Sequence, residues 1–138
     1  MGTYKELNVW QKSIDLTEKI YKLSDCLPPS EKFGLISQMR RAAISIPSNI
    51  AEAYGRKSSK ERKQFLSTAI GSSRELETQL ILVRKLKLAK PEEISPADST
   101  VVDILKMLNG LVRSIAINTQ PTTQNSQSNQ IDTPTSQA

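Results

Sequence analysis

Apolar side chains recur at steps of three and four along four separate stretches of this 138-residue chain, the spacing of helices that bury one face. The first stretch, Leu7 to Leu27, carries Val9, Leu16, Ile20, Leu23 and Leu27 on one stripe, with Trp10, Ile14 and Tyr21 beside it; Pro28-Pro29 ends it. The second is predicted to begin near Ser30 as N-cap. It sets Ile36, Met39, Ala43, Ile46, Ile50 and Ala53 on a seam suited to a nearly parallel neighbour. Pro47 interrupts that seam without shifting its phase, which predicts one Pro-kinked helix rather than two, closed at Gly55.

Ser58-Ser59-Lys60-Glu61 fits a capping box and opens the third helix, whose stripe is Leu66, Ala69, Ser73, Leu76, Leu80 and Val83. The small residues from Ser67 to Ser73 let another helix come close. Ser95-Pro96-Ala97-Asp98 supplies an N-cap, a proline at the first position and an acid in the first turn of a fourth helix. That helix carries one stripe of Val101, Ile104, Leu108, Leu111 and Ile115 and a second of Val102, Leu105, Val112 and Ala116. Two stripes exceed what one neighbour needs, which predicts self-association, against the alternative that the helix packs on two siblings. Short connections favour an all-α, up-down-up-down antiparallel four-helix bundle over residues 1–117. Residues 118–138, rich in Thr, Gln, Ser, Asn and Pro, are expected to form a disordered polar tail.

Charge sharpens this picture. The formal net charge is +5, and from Asn118 onward the only charged side chain is Asp132, so the basic excess lies on the bundle. It gathers at Arg40-Arg41, at Arg56, Lys57, Lys60, Arg62 and Lys63 around the second turn, and at Arg84, Lys85, Lys87 and Lys90. In the turn cluster five cations within eight positions face only Glu61. Such a patch suits phosphate backbones, and no strand-borne aromatic platform for reading bases accompanies it. The same charge on a solvated face would also serve solubility. Arg40 and Arg41 straddle the apolar stripe, so at least one is expected to form a structural ion pair, with Glu52 or Glu77.

Catalysis finds little support. The chain has no histidine, which removes the usual general base and the usual metal ligand and excludes Ser-His-Asp and Cys-His hydrolases. Glu75 with Glu77, and Glu92 with Glu93, diverge on a helix and do not form an acid-base pair. Cys26, the single cysteine, is expected to be a buried or half-buried thiol, with Lys22 one turn back. Neither a metal nor another cofactor is expected. The lone cysteine, an N-terminus without a signal-peptide core, and apolar runs far short of the roughly 20 residues of a membrane span point to a cytoplasmic protein.

Three ordered motifs add a resemblance. Tyr4-Lys5-Glu6-Leu7-Asn8-Val9-Trp10-Gln11, the run from Gln38 to Ala53, and Gly71-Ser72-Ser73-Arg74-Glu75-Leu76-Glu77-Thr78-Gln79-Leu80 closely resemble the 23S ribosomal RNA intervening-sequence protein family of bacterial four-helix bundles, over residues 4 to 117. The resemblance implies a homopentamer. It also brings in similar pentameric bundles, the accessory variability proteins of diversity-generating retroelements, which bind a reverse transcriptase and nucleic acid. By this resemblance Arg40, Arg41, Ser45, Asn49, Glu52, Arg56, Glu61, Glu75 and Glu77 are the motif residues. Ala53 departs from the glycine common there, which stiffens the end of the second helix. The expected function is RNA binding, RNA more than DNA, by a non-enzymatic oligomer; the alternative is an adaptor that docks an enzyme such as a reverse transcriptase. Asn49 and Glu52, one turn past Pro47, are expected to satisfy carbonyls freed by the proline.

Overall fold

Four helices follow from the four apolar stripes. The structure, a computed structural model, describes residues 2–119, with side chains through residue 115. It contains α1 (Asn8–Asp25), α2 (Ser37–Gly55), α3 (Ser59–Lys85) and α4 (Pro91–Thr119), and no strand among the described residues. Each helix packs on its sequence neighbours, and α1 packs on α4 to close the ring. Cross-helix contacts run in opposite senses: Arg40 meets Ser24 while Thr17 meets Ala43, Arg41 meets Glu75 while Ser45 meets Ser72, and Lys12 meets Asp103 while Lys19 meets Thr100. The bundle is therefore antiparallel throughout, with the turn between α2 and α3 at one end and the other two connections at the opposite end.

The predicted stripes form the core. Leu16, Ile20, Met39, Ile46, Ile50, Leu66, Leu76, Leu80, Ile104 and Leu108 are fully buried. Truncating any of these to Ala removes apolar burial and leaves a cavity, at a cost of about 2 to 5 kcal/mol.

Two helix starts differ from the expectation. α2 proper begins at Ser37 rather than near Ser30, because Pro29–Glu31 forms a 3₁₀ turn and Lys32–Ile36 a wide turn whose helical dihedrals break at Gly34 (φ −112°, ψ −107°). α4 begins one turn before Ser95. Pro91 takes its first position, and the Glu93 carboxylate accepts the Lys90 N–H at 2.8 Å, so an earlier proline and acid supply the start signal. Pro96 then lies inside the helix. α3 ends in a Schellman motif: Leu88 N–H bonds Val83 O, Lys87 N–H bonds Arg84 O, and Lys87 takes the left-handed conformation (φ 55°) that glycine usually fills.

α2 continues through Pro47 without a break. Proline has no N–H, so the carbonyl of Ala43 loses its intrahelical donor. The hydroxyl of Thr17 on α1, which donates to Ser13 O at 2.9 Å, also lies 3.3 Å from Ala43 O. Asn49 bonds instead to the Ser45 carbonyl and Glu52 to Arg56, so the expectation for these two is corrected: the freed carbonyl is served from the neighbouring helix.

The second stripe of α4 packs into the ring. Val102, Leu105 and Val112 are half-buried against the core between α1 and α3; the side chain of Ala116 lies outside the described residues, as does the expected tail beyond Thr119. The most exposed apolar side chains lie elsewhere, at Ile14 and Ile44 on α1 and α2 and at Phe33, Ile81, Leu82 and Leu86 at the end away from the α2–α3 turn.

Thr17→Val should destabilise the protein by about 1 kcal/mol, because it strips a donor from a part-buried carbonyl. In a Pro47→Ala background, where the backbone N–H returns, urea unfolding should show that cost at least halved. Equal costs in both backgrounds would refute the role assigned to Thr17.

Candidate nucleic-acid interface

The α2–α3 turn is built by its own arginines. Arg56 pairs with Glu52 one turn back at 2.7 Å and stacks its guanidinium over Phe65 at 4.9 Å. Arg62 reaches from the first turn of α3 to donate to the carbonyl of Arg56 at 2.8 Å. Ser58 caps α3 by accepting the Glu61 N–H at 3.1 Å, the expected half of the capping box; the Glu61 carboxylate makes no bond back. Two of the five cations are thus spent on fixing the turn. Lys57 and Lys60 stand exposed and Lys63 half-buried, and none makes an ion pair or hydrogen bond among the described residues. Lys60 and Lys63, with Ser59, Gln64, Ser67 and Thr68, border an open groove of about 690 Å³.

Arg40 and Arg41 lie away from this turn, in the other half of α2. Arg40 pairs with Asp25 at 2.9 Å, donates to Ser24 Oγ at 2.8 Å and stacks over Tyr21 at 4.3 Å. Arg41 bonds Gln38 at 2.9 Å and pairs with Glu75. Both arginines therefore form ion pairs, and with Asp25 and Glu75 rather than with the expected Glu52 or Glu77. In the third basic cluster, Arg84 pairs with Asp98 at 3.2 Å.

The remaining motif residues sit mostly in the α2–α3 seam. Asn49 donates to Ser45 O at 2.8 Å and to Ser45 Oγ at 3.0 Å, and Ser45 Oγ lies 2.8 Å from Ser72 Oγ, so a short polar chain ties the helices where small residues bring them together. Gln79 donates to Glu75 at 3.2 Å while its Oε1 is buried without a donor. Glu77 is half-buried and bonds nothing among the described residues. Gln38, Gln79 and Phe65 were not among the expected site residues, since each reads as ordinary filling between apolar positions; their roles come from side-chain contacts, Gln38 with Arg41, Gln79 with Glu75 and Phe65 under Arg56.

Chemistry for turnover is thin. Glu75 is occupied by Arg41 and Gln79, apart from Glu77. An apolar cavity of about 430 Å³ at the turn end, bordered by Leu7, Ile50, Tyr54, Leu66 and Leu111, has Arg62 as its charged group. Among the described residues no three His, Cys, Asp or Glu gather as a metal site, and no helix is long and apolar enough to cross a membrane.

The description of one protein family, 23S rRNA-intervening sequence protein, matches residues 5–110. A crystal structure from Bacteroides thetaiotaomicron, of a protein of unknown function in the S23 ribosomal protein family, superposes with a TM-score of 0.71 at 25% identity, covering 76% of this chain and 98% of that one. No curated protein matches.

Cys26 corrects a smaller expectation. It is exposed rather than buried, and its thiol is held above its usual pKa by partial desolvation and by the Glu93 carboxylate, so the neighbouring Lys22 does not activate it. Alkylation by iodoacetamide at pH 8 should be slower than that of free cysteine, and Glu93→Gln should speed it. Reaction at or above the rate of free cysteine would contradict the assignment.

Proposed function

The chain belongs to the 23S rRNA-intervening sequence protein family, and from that premise we propose a non-enzymatic, homo-oligomeric RNA-binding protein whose phosphate contacts are Lys57, Lys60 and Lys63. The observation that carries this reading is the division of labour at the α2–α3 turn. Its arginines are consumed holding the loop, by Glu52, Phe65 and the Arg56 carbonyl, while its lysines face solvent without an acidic partner. A rigid loop presenting free ammonium groups gains affinity by releasing counterions from phosphates and loses little side-chain order elsewhere. Phe65 lies under Arg56 and is not offered for base stacking, which favours contact with the backbone over bases; Tyr54 at the same end is the ring left exposed. The family resemblance makes a pentamer the expected assembly, which would repeat the turn around an axis and multiply weak contacts.

One observation favours a second reading. Phe33, Ile81, Leu82 and Leu86 expose apolar surface at the end opposite the lysines, where a protein partner, such as a reverse transcriptase, could dock. Under this adaptor reading that end, not the turn, carries the function.

RNA affinity should fall steeply with salt, and each lysine changed to Gln should lower the slope of log affinity against log salt by about 1. Lys57→Glu, Lys60→Glu and Lys63→Glu together should abolish binding, while Arg40→Ala should lower stability and leave RNA affinity unchanged. Full binding by the folded triple variant, measured by fluorescence anisotropy, would refute the assignment.

A further inference from the structure

Beyond the turn, the open face of α3 continues the same chemistry. Residues at helical spacing from Lys60 share one outward face: Lys63, Ser67, Gly71, Arg74 and Thr78 follow it, all exposed except the half-buried Lys63. No acid lies among them; of the carboxylates that flank the track, Glu75 is turned to Arg41 and Gln79, while Glu77, one turn from Arg74, bonds nothing among the described residues. Arg74, like Lys60 and Lys63, has no side-chain partner among the described residues. Cations thus stand at both ends of a track that spans about 21 Å at 1.5 Å per residue. Between them the side chains are short, and one is absent altogether.

That absence is not required by the protomer. Gly71 has a helical backbone in the middle of α3, and a Cβ added there meets no atom within 4 Å. Neither conformation nor packing calls for glycine, although glycine inside an exposed helix is unfavourable relative to alanine. A low, flat, cationic face suits an occupant that approaches the helix backbone closely and carries negative charge.

We infer that the open face of α3, from Lys60 to Arg74, is the seat of an RNA double helix, with the phosphate backbone held by Lys60, Lys63 and Arg74 and lying over Gly71. Charge complementarity favours this occupant over a second copy of a chain that is itself basic. No aromatic side chain lies on the track, which disfavours single-stranded bases stacked along it. The shallow minor groove of an RNA duplex presents phosphates and 2′-hydroxyls to a straight surface, and Ser67 and Gln64 can pair with those hydroxyls where DNA offers none. The inference rests on the proposed RNA contact at the α2–α3 turn and extends it along the helix.

The test uses the full chain and a 20-base-pair RNA duplex of arbitrary sequence, with the DNA duplex of the same sequence as control. Gly71→Trp should keep the helical circular dichroism and the native mass of the assembly while lowering RNA affinity at least tenfold. Gly71→Ala should raise the melting temperature and stay within threefold of native affinity. Arg74→Glu, which disturbs no internal pair, should weaken binding at least fivefold and lower the salt slope by about 1. Native affinity in both Gly71→Trp and Arg74→Glu, alongside lost binding in the triple lysine variant, overturns the track and leaves the turn standing. Native affinity in all of them overturns the proposed function itself. A changed native mass in Gly71→Trp makes the face an interface between copies, and equal affinity for DNA refutes the RNA assignment.

Discussion

The packing of α2 against α3 decides where the cations of this molecule point. Ala42 on one helix and Ala69, Ser72 and Ser73 on the other are all buried, and their small size lets the two axes approach until Ser45 and Ser72 can share a hydrogen bond. With one face of α3 committed to α2 and another to α4, the third must face solvent, and that is the face carrying Lys60, Lys63 and Arg74. The arginines of the seam and turn hold the structure, as Arg40, Arg41, Arg56 and Arg62 each engage a partner on the protein. This sorting follows the chemistry of the two side chains: a planar guanidinium binds carboxylates and stacks on rings in fixed geometry, whereas the ammonium of lysine is a mobile charge suited to a solvated phosphate.

Pro47 lies on the other flank of α2, toward α1. A proline in mid-helix ordinarily costs about 3 kcal/mol or more through its missing donor and its clash with the preceding turn. Here the freed carbonyl of Ala43 faces α1, whose Thr17 hydroxyl lies within reach, so part of that cost is offset by a contact that also fixes the register of α1 against α2. The defect in the helix becomes a point of registration.

Much of the fold was legible in the sequence because burial is periodic. The stripes of Leu16, Ile20 and Leu23, of Met39, Ile46 and Ile50, and of Leu66, Leu76 and Leu80 announce helices that have to be covered, and the structure buries each of them. Helix starts were less legible, since they depend on competition between local signals: Pro91 with Glu93 outcompetes Ser95 with Pro96, and Gly34 breaks a run that periodicity alone carries back toward Ser30. The candidate site was half legible. Its basic character shows in the run from Arg56 to Lys63, but which cations are free depends on contacts with Glu52, Phe65 and a backbone carbonyl that no spacing rule supplies. The doubled stripe of α4 is read only in part: Val102, Leu105 and Val112 pack on the core yet stay half-exposed, and the most exposed apolar groups, such as Phe33, Ile81, Leu82 and Leu86, lie elsewhere.

The central claim is that the lysines of one turn, and not the basic residues at large, contact RNA. Lysine acetylation footprinting by mass spectrometry, with and without a structured RNA at saturating concentration, tests it at each residue. The account predicts strong protection of Lys57, Lys60 and Lys63, with Lys5, Lys22 and Lys87 acetylated as fast as in the free protein. Uniform protection of all lysines, or protection confined to Lys85, Lys87 and Lys90, would contradict it.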